Sequence, residues 1–275
     1  MSRIQARFEA LKAEGRGALI PYLQAYDPDL ETSLALLKAM PGAGADIIEV
    51  GIPFSDPSAD GPTIQLAAQR GLKAGSTLAG VLEMIKRFRE GDQETPIVLM
   101  GYLNPIHTYG AEAFCRDATQ AGVDGIILVD MPTEEAVWLR PHAEAYGLDI
   151  IALVAPNTSH DRLVHVLREA RGFVYYVSIT GITGTASASA EQLAHAVPKV
   201  KAVTSVPVAI GFGISTPEQA RVASQIGDAA VVASTLIRTL ASTLVDGRAT
   251  ENTVPAVTQQ IKELAQAVRG GESAA

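Results

Sequence analysis

Eight short runs of mostly apolar, β-branched-rich residues recur along this chain, each separated from the next by a stretch with helical spacing. No other feature limits the fold as much. The runs are 18–25, 46–52, 96–102, 125–130, 149–156, 173–179, 207–214 and 229–234. Between them stand segments such as TSLALLKAM, LAGVLEMIKRFRE, AEAFCRDATQ, EEAVWLRPHAEAYG and PEQARVASQI, and VPAVTQQIKELAQAV closes the series. Runs so short and so continuously apolar suit parallel strands covered on both faces. Eight such units over 275 residues predict a (β/α)8 TIM barrel, with an open doubly wound sheet as the alternative that the even spacing disfavours. The opening stretch MSRIQARFEALKAEGRG predicts an extra N-terminal amphipathic helix, and STLIRTLAS a short extra helix after the eighth strand. No Pro/Ser linker or charge block interrupts the series, so residues 1–275 read as a single domain.

Composition narrows the partners. A net charge of −8 argues against nucleic acid, whose phosphates need clustered Lys and Arg. No apolar run is long enough for a bilayer, and the N-terminus lacks the apolar core of a signal peptide. One cysteine, Cys115, cannot form an internal disulfide and suits a reducing cytoplasm.

The second run carries a charge where apolar residues are expected. Alternation puts Ile47, Glu49 and Gly51 on one strand face and Ile48, Val50 and Ile52 on the other. The aliphatic set faces the helices, so Glu49 points into the barrel near its C-terminal mouth, where barrels of this kind keep their catalytic groups. Burial there raises a carboxyl pKa and suits it to proton transfer near neutrality. A structural carboxylate satisfied by backbone amides is the competing reading. Asp60, just before Pro62, reads equally as a group that complements a helix dipole and as a functional carboxylate. Asp56, before Pro57, is ordinary turn chemistry.

Glycines cluster at the ends of the late strands: Gly181 and Gly184, then Gly211 and Gly213, with Ser234 opening the short extra helix. Backbone amides at such a place bind a phosphate without Lys or Arg, although each glycine alone is compatible with a tight turn. TGITGTASASA (180–190) reads as a mobile loop. None of the eight runs holds a lysine, which argues against a Schiff-base aldolase, and the five histidines show no ligand spacing, so no metal site is expected. What remains is a metal-free carboxylate site facing a phosphorylated substrate.

Several of these segments are similar to one known family. IEVGIPFSDPSADGPTIQ (48–65) closely resembles the signature of tryptophan synthase alpha subunits, as do LMGYLNPIHTYG (99–110), GVDGIILVDMPTEE (122–135), YYVSITGITGT (175–185) and GFGISTPEQA (211–220), in the same order along nearly the whole chain. The resemblance implies a (β/α)8 barrel that cleaves indole-3-glycerol phosphate to indole and glyceraldehyde 3-phosphate. It implies no cofactor in this chain, and a β subunit with its own pyridoxal phosphate that receives the indole, in an α2β2 heterotetramer. By the same resemblance Glu49 matches the catalytic acid/base and Asp60 the carboxylate attending the indole N–H. Tyr175 and Thr183 match positions near the reacting group and in the closing loop. Gly184, Phe212, Gly213 and Ser234 match the phosphate and substrate pocket, and Pro53, Asp56 and Pro57 match a loop facing the β subunit.

The chain departs from the family pattern at Ser58, where an apolar residue is usual, and at Tyr26 and Ala233, where glycine is usual. The expected consequences are a different turn in the first loop and a methyl group crowding the phosphate. A free-standing lyase of the same chemistry and a non-catalytic barrel that binds a phosphometabolite or activates a partner are the rival functions.

Overall fold

The apolar runs become strands because each buries both faces, one toward the barrel axis and one toward a ring of helices. The computed structural model describes residues 2–178, 189–211 and 213–270. Helix α1 (Arg3–Ala13) precedes β1 (Ala18–Gln24), and α2 (Leu30–Ala43) leads to β2 (Ile48–Gly51). Next come α3 (Pro62–Lys73), α4 (Leu78–Arg89) and β3 (Ile97–Gly101), then α5 (Leu103–Tyr109), α6 (Ala111–Ala121) and β4 (Gly125–Leu128). A 3₁₀ turn (Thr133–Trp138) and α7 (Arg140–Tyr146) precede β5 (Asp149–Ile150) and β6 (Ala152–Val154). The rest is α8 (His160–Leu167), β7 (Val174–Val177), α9 (Ala190–Lys201), β8 (Val208–Gly211), α10 (Pro217–Ile226), β9 (Ala229–Val232), α11 (Ser234–Ser242) and α12 (Thr253–Val268).

Every strand pair is parallel, in the order β5-β4-β3-β2-β1-β9-β8-β7-β6. The fifth run, expected as one strand over 149–156, is two pieces broken at Ile151. Its lower half bonds β4 (Gly125 beside Asp149) and its upper half bonds β7 (Ala152 beside Val174). One stave thus joins both ends of the sheet, and the barrel has eight staves. The upper seam between β4 and β6 is left unbonded, and a cavity of about 130 Å³ lined by Leu128, Ala136, Ile150 and Leu153 lies there.

Ile20, Ile47, Val98, Ile127, Ile151, Phe173 and Ala209 fill the interior, and α1 closes its floor with Ile4, Phe8 and Leu11. The Phe8 ring lies 6.1 Å from that of Phe173. The residues alternating with these, such as Leu19, Leu23, Val50, Leu99 and Ile126, face the helices in the larger outer core.

The floor is tied by aspartates. Gly44, Gly122 and Gly147 end their helices at φ 108°, 93° and 73°, the left-handed region that favours glycine, and each is followed two residues later by Asp46, Asp124 or Asp149 at the foot of a strand. Asp46 accepts the Leu19 N–H (2.9 Å) and Asp124 the Ile97 N–H (2.8 Å); Asp228, below β9, accepts the Val208 N–H (2.8 Å). Each has a cation as well: Arg16 and Arg7 on Asp46, Arg89 and Arg3 on Asp124, Lys201 on Asp228. Arg89 is itself buried and also donates to the carbonyls of Gly122 and Thr95.

Truncating Arg89 strands those acceptors and leaves Asp124 short of a buried partner. Arg89→Ala is therefore expected to lower stability by about 3–5 kcal/mol. Urea unfolding measures it; a loss below about 1 kcal/mol would contradict the tie.

Candidate active site

Glu49 sits on β2 beside Tyr22 of β1 and Val98 of β3, on the inward face, at 1% exposure. Its neighbours on the strand are apolar because both faces of β2 are buried, so its carboxyl has no route to water along the wall. Among the described residues the Oε2 atom has no hydrogen-bond partner. Burial, and then the negative charge of Asp60, push the Glu49 pKa up to about 8. The competing reading, a carboxylate satisfied by backbone amides, finds no such amide at Oε2 among the described residues.

Asp60 does not cap α3. The N-cap is Gly61 and no side chain caps it, while Pro62 takes the first helical turn as expected. The Asp60 carboxyl is buried and brought within electrostatic reach of Glu49. Burial raises its pKa to about 6, against a hydrogen bond from Tyr102 that lowers it. Tyr102, just past β3, organises the whole loop: its hydroxyl accepts the Ala59 N–H (3.0 Å), and Phe54 stacks on its ring at 5.1 Å.

Tyr175 on β7 is buried at the same level, and burial followed by the charges of Glu49 and Asp60 raises its phenol well above the ordinary value. Its hydroxyl lies over Gly211, where an added Cβ would stand only 2.3 Å away. Gly213 has φ +79°. Ser234 is the first residue of α11, the short extra helix, which packs on α3, α12 and β1 and has neither an acidic first turn nor a side-chain cap. Thr183, Gly184 and Phe212, and most of the 180–190 loop, lie outside the described residues.

The β2–α3 loop turns two ways. Pro53 is buried, its ring close against Gly71 of α3, whereas Asp56 and Ser58 are exposed and Pro57 half-buried. With Phe54, Gln65 and Gln69 they line a surface groove of about 360 Å³. Of the two replacements for glycine, Tyr26 does take the left-handed conformation (φ 63°), while Ala233 has φ −122°.

Sequence reasoning missed Tyr22 and Tyr102, which the barrel brings to the two carboxyls. A signal for Tyr22 was present: residues 22 and 24 are polar at alternate positions of an otherwise apolar run, as Glu49 is in the next strand. Among the described residues no group of His, Cys, Asp or Glu converges to hold a metal, and no helix is long and apolar enough to cross a membrane.

Comparison with known proteins agrees with this geometry. A family model described as tryptophan synthase alpha chain matches residues 8–269. The tryptophan synthase alpha chain of Gluconobacter oxydans (strain 621H) is 74% identical over 269 residues, covering 98% of this chain and 100% of that one. That of Gluconacetobacter diazotrophicus is 65% identical over 274 residues, covering 99% and 100%. Among solved structures, tryptophan synthase subunit alpha from Legionella pneumophila superposes with a TM-score of 0.90 at 37% identity, covering 98% of this chain and 99% of that chain. A chain of Mycobacterium tuberculosis tryptophan synthase does so at 0.88 and 36%, covering 98% of each.

Holding Glu49 out of water weakens the fold at alkaline pH. Its folded pKa is above the unfolded one, so its contribution is full below about pH 4.5 and lost as pH rises through about 8. Glu49→Gln removes that loss. Thermal or urea unfolding is expected to find the variant more stable than the parent above pH 8, by about 3–5 kcal/mol, with the gap closing in acid.

Proposed function

The chain belongs to the tryptophan synthase alpha chain family, lyases that cleave indole-3-glycerol phosphate to indole and glyceraldehyde 3-phosphate, and from that premise we propose that Glu49 and Asp60 divide the proton and charge chemistry of the reaction between them. The observation that carries the reading is the buried Glu49 carboxyl, its Oε2 without a partner among the described residues, within electrostatic reach of Asp60 at the C-terminal mouth of the barrel.

Breaking the bond between indole carbon 3 and the glycerol chain needs an electron sink in the ring. Glu49, as the acid, gives its proton to carbon 3, and positive charge develops at the ring nitrogen. Ionised Asp60 stabilises that charge in a dry site, where a fixed carboxylate is far more effective than in water. The Glu49 carboxylate then takes the proton of the hydroxyl on the neighbouring carbon. That carbon becomes the aldehyde, the bonding pair returns to the ring, indole leaves, and the glutamic acid is restored. A raised pKa suits a group that both gives and takes a proton near neutrality. Tyr175 walls the reacting end opposite Glu49. Thr183 matches a position in the family's closing loop, and Gly184, Phe212, Gly213 and Ser234, the last at the N-terminus of α11, match the family's phosphate and substrate pocket, where phosphate binding energy keeps the substrate in register.

The family works with a β subunit. For this chain we place that subunit on the outward side of the β2–α3 loop, at Asp56, Pro57 and the groove beside them, with Pro53 shaping the loop from below. The partner carries the pyridoxal phosphate that condenses indole with serine, this chain carries no cofactor, and the assembly is an α2β2 heterotetramer in the cytoplasm. The free thiol of Cys115, buried in α6, is in keeping with that compartment.

Assay of indole release tests the site. Glu49→Gln is expected to lower kcat by about 10²–10⁴-fold and Asp60→Asn by about 10²–10³-fold; full activity in Glu49→Gln refutes the mechanism. The profile of kcat/KM against pH is expected to be a bell. It rises through about pH 6 as Asp60 ionises and falls through about pH 8 as Glu49 loses its proton. Adding a β subunit to the isolated chain is expected to raise turnover and to give a species of heterotetramer mass. Unchanged turnover without a complex would leave the free-standing lyase.

A further inference from the structure

The mechanism leaves unused a pair of buried polar side chains on the inner wall beside Glu49. Tyr22 and Gln24 occupy alternate positions of β1, on the face that looks at Glu49 and Gly51 of β2. Tyr22 is Glu49's neighbour in register, yet its hydroxyl does not stay level with it. The phenol rises along the wall until its oxygen lies over Gly51, where an added Cβ would stand 1.9 Å away. Only glycine at 51 leaves room for it. The tip is fixed there: the Tyr22 hydroxyl donates to Gln24 Oε1 at 2.6 Å, and Gln24 Nε2 donates to the carbonyl of Gly51 at 3.2 Å. All of these groups are buried, so the chain of bonds has no competing water.

We propose that Tyr22 is a positioning residue for the cleavage: tied through Gln24 to the end of β2, its ring roofs the Glu49 carboxyl on the mouth side, denying it water and the freedom to swing along the strand. The inference rests on Glu49 being the proton donor. The hydroxyl adds no proton of its own, having committed its hydrogen to Gln24, and burial together with the charges of Asp60 and Glu49 holds it un-ionised. Its contribution is to fix where the carboxyl sits and to keep it desolvated. The other titratable groups in reach are Asp60 from the β2–α3 loop, Asp27 beyond β1, Tyr102 beyond β3 and Tyr175 on β7. Removing the neutral Tyr22 hydroxyl takes no charge away from among them.

Tyr22→Phe leaves Gln24 Oε1 without its donor and opens a space of one oxygen over Gly51, on the mouth side of Glu49. A water drawn there favours the carboxylate form. The expected result, in indole release from indole-3-glycerol phosphate by the full-length chain, is a kcat about tenfold lower with KM little changed. The alkaline limb of the pH profile moves toward acid, which a loss of general stability would not cause. Gln24→Met cuts the same tie from the other end and is expected to act in the same direction. The double variant is expected to be no worse than the poorer single, because one chain of bonds is being broken twice. An unmoved alkaline limb with parental kcat in both singles overturns the proposal, as do effects that simply add in the double. Glu49→Gln, run beside them, separates the two readings. If it is inactive while Tyr22→Phe matches the parent, the tie fails and the proton donor stands; if it is active, the donor assignment itself falls.

Discussion

Desolvation of one carboxyl group sets the terms for the rest of this barrel. Asp46, at the foot of β2, and Glu49, within it, stand three residues apart and meet opposite treatment. Asp46, at the foot, accepts the Leu19 amide and is flanked by Arg16 and Arg7. Glu49, at the mouth, keeps an oxygen with no donor among the described residues. The foot of the barrel satisfies its charges and holds the staves together; the mouth withholds that satisfaction, and a carboxyl whose charge is costly is one that will carry a proton at neutral pH. The division follows the rule that stability resides at the N-terminal face of such barrels and chemistry at the C-terminal face.

The second carboxyl depends on a neighbour rather than on its own strand. Asp60 follows β2 by a loop, yet what fixes it is Tyr102, which comes from β3. Stacking on Phe54 and accepting the Ala59 amide, that tyrosine holds both arms of the loop at once. The loop then has two faces. Asp60 looks inward to Glu49, and Asp56 and Ser58 look outward over the groove. A flexible loop would let Asp60 drift and lose the fixed charge on which the proposed stabilisation of a transient cation depends.

How far sequence could read this molecule depended on whether the deciding force was local. Strand and helix periods are local, and they gave the eight staves, the α1 floor and the short α11. The break at Ile151 was not legible, because it comes from a change of hydrogen-bonding neighbour and leaves no mark on apolar pattern. Nor was α5, in LNPIHTY, or the shortening of α7 by Pro141 at its first turn, which leaves a 3₁₀ turn before it. In the site, Glu49 was legible as a charge alone on an inward face. Asp60 was ambiguous on sequence, since a cap and a functional group look alike until Gly61 is seen to hold the cap position. Tyr22 and Gln24 carried the same alternating signal as Glu49 and went unread because neither is charged.

The two positions where glycine would be usual show why such substitutions have to be judged by backbone angle. Tyr26 adopts φ 63°, in the left-handed region that favours glycine, and the strain of an L residue there is of order 1–3 kcal/mol. It is offset by what the ring gains: Tyr26 is buried, its amide bonds Ser33 Oγ at 3.1 Å, and its hydroxyl reaches so near Gly80 of α4 that a Cβ there would be 2.4 Å from it. Ala233 does not take the left-handed conformation. It has φ −122°, and its methyl packs with Tyr22, Ile64, Ala67 and Ile237 in a small apolar cluster at the mouth. That cluster includes Tyr22, the neighbour of Glu49 in register, so the extra methyl is set among the packing that holds Tyr22 as well as beside the first turn of α11.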